Sequence, residues 1–111
     1  MTDASAEELF WRLAAELQRD HTRVVEGTIM KSRCLRVGKE FLALVDYKDS
    51  GLVVKLPKPR VAELIAAGIG RPFAPAGKVF AEWVSIPTPD PRRWRQLLLE
   101  GLEFAGRPSK R

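Results

Sequence analysis

The stretch Val24 to Leu56, VVEGTIMKSRCLRVGKEFLALVDYKDSGLVVKL, decides the fold. Valine, leucine, isoleucine and threonine accumulate in it, and turn residues interrupt it at short intervals. Such residues suit a pleated, half-buried surface, and short turns return the chain beside itself, so the stretch predicts an antiparallel meander. Strands are expected near 24–30, 33–37, 40–47 and 51–56. Gly38-Lys39 and Asp49-Ser50-Gly51 supply turns, because glycine adopts the positive φ that tight hairpins demand. Phe41 to Val45 is apolar without interruption, which predicts a central strand covered on both faces over part of its length.

Upstream, Ser5-Ala6-Glu7-Glu8 fits a capping box that would start a helix. Leu9, Phe10, Leu13, Ala14 and Leu17 then form one apolar stripe, with Trp11 at its edge. Downstream, Pro57-Lys58-Pro59 ends the last strand of the meander, and Pro59 fits the first turn of a helix running from Arg60 to Ala67. Gly68 to Lys78 reads as mostly irregular, with brief pairing near Phe73, and Val79 to Ile86 as a strand. Asp90 is the expected N-cap of a last helix that opens at Pro91 and turns Trp94, Leu97, Leu98, Gly101, Leu102 and Ala105 inward. The order predicts an α+β fold in two layers, three helices packed on a predominantly antiparallel sheet of about five strands. Its core is expected to hold Leu13, Leu17, Phe41, Leu44, Val54, Leu64, Val84, Trp94, Leu98 and Leu102.

With 111 residues, 45% of them apolar, the chain has material for one core. We expect a single domain over 1–106 and a flexible basic tail over 107–111. No apolar run approaches the ~18 residues of a membrane span, and the acidic start lacks the pattern of a signal peptide, so no membrane partner and a cytoplasmic location are expected. One cysteine, Cys34, and one histidine, His21, exclude an internal disulfide and a four-ligand Cys/His zinc site. No cofactor or metal is expected.

The residues supply no catalytic constellation. His21, the sole imidazole, stands at the exit of the first helix, and Cys34 alternates with Leu35 and Val37 as a small core residue does. Glu7/Glu8 and Glu100/Glu103 read as solvated helix faces. Glu82, between Ala81 and Trp83, is the one carboxylate considered for acid/base work, and the outer face of a sheet is its plainer place. Gly68 and Gly70 follow a helix instead of opening one, the reverse of a phosphate-cradling loop. The three tryptophans are read as packing residues. We therefore expect a non-enzymatic domain.

The 19 basic residues exceed the 14 acidic ones, giving a net charge of +5, which permits an acidic partner. Six cations fall on predicted turns and loops and form the candidate binding set. Lys31 and Arg33 flank the first hairpin turn, Arg36 and Lys39 the next, and Arg71 and Lys78 lie in the long loop. The alternative is a protein partner, or a second copy in a homodimer, with a monomer equally compatible.

At Leu35-Arg36-Val37-Gly38-Lys39-Glu40-Phe41-Leu42-Ala43-Leu44-Val45 and Leu52-Val53-Val54-Lys55-Leu56-Pro57 the chain resembles the TfoX/Sxy N-terminal domain family and the related YjbR/MmcQ-like proteins. Arg60-Val61-Ala62-Glu63-Leu64, Ala67-Gly68, Gly70-Arg71-Pro72-Phe73, Gly77-Lys78 and Glu82-Trp83-Val84 continue the likeness in order, over roughly Val37 to Ala105. The resemblance implies a small α+β domain similar to secretion-chaperone-like folds and brings no catalytic residues. It also implies a regulatory role: TfoX-group members are associated with DNA-uptake competence, and YjbR-like members are described as DNA-binding. Against the full-length competence regulator, the 111 residues are expected to correspond to the first domain without the second.

Overall fold

In a computed structural model the meander forms where the β-branched residues accumulate, and the structure describes residues 2–29, 32–46, 51–73, 77, 79 and 81–105. Helix α1 spans Thr2–Asp20 and is followed by β1 (Val24–Ile29), β2 (Ser32–Val37), β3 (Glu40–Asp46) and β4 (Gly51–Lys55). Then come α2 (Lys58–Ala66), β5 (Arg71–Pro72), β6 (Trp83–Ile86) and α3 (Pro91–Ala105). The described strands form one sheet in the order β1-β2-β3-β4-β6-β5, with every neighbouring pair antiparallel. The expected α+β class holds, with six strands where about five were expected; β5, two residues long, is the brief pairing anticipated near Phe73. Gly38 and Gly51 turn the chain at φ 61° and 64°.

The apolar run in β3 is explained by a bulge. Leu35 faces Ala43 but the next residue, Arg36, faces Phe41, so Leu42 is the extra residue on β3. Leu42 and Ala43 therefore both join the core under the helices, whereas Phe41 and Leu44 belong to a second cluster with Cys34, Val53 and Phe73. The strand is covered on both sides, as its sequence predicted.

Helices α1 and α3 pack over β3 and β4, burying Phe10, Leu13, Trp94, Leu97 and Leu98 against Leu35, Leu42, Leu52 and Val54. Gly101 allows α3 its close approach. A Cβ there would lie 2.9 Å from Val54 Cγ2, 3.0 Å from Leu42 Cδ1 and 3.1 Å from the Lys55 carbonyl oxygen. Of the expected core residues, Leu102 is only half-buried at the rim of α3 and the other nine are buried.

Several boundaries differ from expectation. Helix α1 begins at Thr2, so Ser5 lies within the helix and not at its cap; Thr2 and Asp3 are themselves residue types that helix starts favour. Helix α2 begins two residues before Arg60, with Pro59 in its first turn. The strand expected from Val79 begins only at Trp83. Val79 is 59% exposed, and the pairing with β4 ends where the Leu56 amide donates to the Glu82 carbonyl at 2.8 Å. Pro57 follows and has no N–H with which to extend that ladder. The expected cap of α3 is present: Asp90 Oδ1 accepts from the amides of Arg92 and Arg93, both at 3.1 Å. No described helix is long and apolar enough to cross a membrane.

Candidate functional site

The helices leave one face of the sheet to the side chains of alternate strand residues. Gly27, Cys34, Leu44, Val53, Ser85 and Arg71 are successive cross-strand partners and make one row across all six strands. Beside it runs Val25–Arg36–Phe41. The centre of this face is packed: Cys34 and Val53 are fully buried, and Trp83 stacks on Phe41 at 4.1 Å and on Phe73 at 5.5 Å between ring centres. A tryptophan engaged by two phenylalanines is a packing element and offers little free ring surface for a base.

The structure separates the six cations of the candidate set. Arg33 lies on the helix side, where its Nε donates to Glu26 and its guanidinium carbon sits 4.2 Å from the centre of the Trp11 ring. That hydrogen bond holds the Glu26 carboxyl below the usual carboxylate range. Arg33 thus clamps α1 to the β1–β2 hairpin. Arg36 lies on the opposite side, and its side chain crosses Gly27. A Cβ on Gly27 would stand 2.6 Å from Arg36 Cδ and 3.6 Å from Nη1. Arg36 is half-buried, and its Nε is buried with no hydrogen-bond partner. Lys39 is exposed in the turn between β2 and β3, and Arg71 is exposed on β5 at the far edge. Arg36 and Arg71 share a face but stand four strand intervals apart, about 19 Å at ~4.8 Å per interval. Lys31 and Lys78 lie outside the described residues.

Carboxylates pair some of the described cations and leave others, Arg12, Arg23, Lys58, Arg92 and Arg93 among them, without an ion pair. Arg60 bonds Glu100 and Glu63, Arg95 bonds Glu16, and Lys55 bonds Glu40. Among the described residues Arg36, Lys39 and Arg71 have no carboxylate partner. The sequence reading overlooked Gly27, the residue that lets Arg36 lie flat across the edge strand. The signal was present, since a lone glycine inside a strand marks a close approach.

The groups considered for chemistry are dispersed. Cys34 sits in the helix-free cluster, where burial pushes its thiol pKa up, whereas His21 is exposed in a shallow groove between α1 and α3 beside Asp20 and the Glu16–Arg95 pair. Glu82 lies in the turn before β6, not in a strand, and lines an open depression with Lys58, Ala81 and Trp83. Among the described residues no group of three or more His, Cys, Asp or Glu side chains could hold a metal ion. No family model, curated protein or solved structure matches the chain.

Proposed function

We propose that this chain is a non-enzymatic, cytoplasmic binding domain that holds the phosphate backbone of nucleic acid on the helix-free side of its sheet, through Arg36, Lys39 and Arg71. The observation that carries the reading is Arg36. Arg36 is half-buried, its Nε has lost water without gaining an acceptor, and no carboxylate neutralises its charge; an anion at the guanidinium supplies that charge. Lys39, exposed in the turn between β2 and β3, and Arg71, exposed on the same face at the far edge, also lack carboxylate partners. The likeness to YjbR-like proteins described as DNA-binding supports the same ligand class. Because Trp83 is engaged by Phe41 and Phe73, recognition goes to phosphates and carries little sequence preference.

Titration of duplex DNA and of RNA against salt tests this. Each neutralised phosphate steepens log K against log[salt] by ~0.9 for duplex DNA, so three side chains give a slope near ~3. Arg36→Gln, Lys39→Gln and Arg71→Gln each lower it by about one, and Arg33→Gln, on the other side, leaves it unchanged. Removing residues 107–111 leaves most of the slope in place. Binding that vanishes with that tail, or none at low salt, overturns the reading in favour of a protein partner.

A further inference from the structure

We infer that two copies of this chain join through β1, antiparallel about a two-fold axis at Gly27, and that the two Arg36 guanidiniums brought to the axis hold one phosphate-class anion between them. The ligand class rests on the proposed function; the pairing rests on the edge strand.

Strand β1 ends the sheet order, so one row of its backbone N–H and C=O groups has no strand beside it among the described residues. It is six residues long and contains no proline. The other edge, β5, is two residues long and ends in Pro72, which protects it from pairing. β1 is therefore the edge at which a further strand can add.

The side-chain alternation limits how a second β1 can lie against the first. A register that keeps each face intact pairs residues an even number apart, so the two-fold axis passes through a residue. Only axes at Glu26 and Gly27 pair five residues of each six-residue strand. An axis at Glu26 sets two carboxylates against each other, which is unfavourable for directly opposed positions. An axis at Gly27 sets Glu26 opposite Thr28 and Val25 opposite Ile29. It also covers Val25, which at 44% exposure is an unusually open apolar residue on this face.

This register has one consequence for charge. Arg36 of each copy crosses its own Gly27, so the two guanidiniums approach across about one strand spacing, ~4.8 Å. Two such cations repel unless an anion lies between them, and Glu26, the nearest carboxylate on β1, is held by Arg33 on the other side. The counter-ion must come from outside the protein. A phosphate has oxygens enough to accept from both forks. The site is incomplete in one copy.

Sedimentation equilibrium on the full chain, in sodium phosphate and in sodium chloride of equal ionic strength, reads the proposal directly. Phosphate is expected to tighten the dimer about ten-fold or more, the worth of one or two charge-assisted hydrogen bonds. Val25→Lys, at an exposed position, gives a monomer in both salts that melts as the wild type does at concentrations too low for the wild type to dimerise. Arg36→Gln removes the repulsion together with the anion site, so its dimer forms to the same extent in both. A wild-type monomer in phosphate, a Val25→Lys chain that dimerises like the wild type, or an Arg36→Gln chain that still responds to phosphate overturns the inference. Short duplex DNA separates the two readings. DNA bound by a monomer with the full salt slope sinks the dimer alone, and phosphate-driven dimers that ignore DNA at low salt sink the nucleic-acid reading alone.

Discussion

Arg60 of α2 grips Glu100 of α3 with a fork, Nε to Oε1 at 2.8 Å and Nη2 to Oε2 at 3.2 Å. Two contacts in a fixed plane make this stronger than a single exposed pair. Gln96 adds a third donor to Oε2 at 3.0 Å, and Arg60 Nη1 reaches Glu63 at 3.1 Å. The fork ties the helix beside β6 to the helix that covers β3 and β4.

Partial burial opposes ionisation of Glu100, but the bonds from Arg60 and Gln96 and the Arg60 charge outweigh it and hold the carboxyl below its ordinary pKa. A depressed pKa contributes stability above the unfolded value, here 4.5, and loses it as pH falls through the folded one. Glu100→Gln is thus expected to cost about 1 kcal/mol at pH 7. The difference from wild type should shrink on acidification below pH 4.5. Urea melts of both proteins across that range check it, and a gap that widens in acid contradicts the assignment.

Gly101→Ala sets helix propensity against packing. Alanine is favoured over glycine inside a helix by about 1 kcal/mol, but its methyl would press on Val54, Leu42 and the Lys55 backbone. Overpacking of this kind costs about 1–3 kcal/mol, so a net loss of about 1 kcal/mol is expected. Thermal unfolding at neutral pH decides the sign, and a stabilised variant would mean that α3 lifts from the sheet without cost.

Leu98 and Leu102, one helical turn apart on α3, are expected to respond differently. Leu98 is buried in the helix-side core, and Leu98→Ala should cost ~2–5 kcal/mol. Leu102 is half-buried at the rim, so Leu102→Ala should cost well under half as much. Leu64→Ala, on the buried side of α2, should fall with Leu98. Equal losses at 98 and 102 would place α3 at a different rotation about its axis.

The fold was legible wherever neighbouring residues set the conformation. Asp90 and Pro91 announce α3 because a cap acts within one turn, and Gly38 and Gly51 announce hairpins because positive φ excludes most other residues there. The candidate site was less legible. Arg33 and Arg36 stand three residues apart on one strand and look alike in sequence. Only their faces separate a clamp on Trp11 from a side chain laid over Gly27. The Phe41–Trp83–Phe73 stack had no signal, since its members come from β3, β6 and the end of β5.

By itself the sequence determined the kinds of element, their order, and that β3 is apolar toward both sides, because propensity, capping and periodicity act over a few residues. The tertiary structure decided that β6 and not β5 pairs with β4, that Leu42 is extruded as a bulge, and which cations are neutralised. Those outcomes depend on groups brought together from far apart, 40 positions for Arg60 and Glu100 and 79 for Arg95 and Glu16. Whether a guanidinium keeps its charge for a ligand or spends it on a carboxylate is settled only when the chain has closed around it.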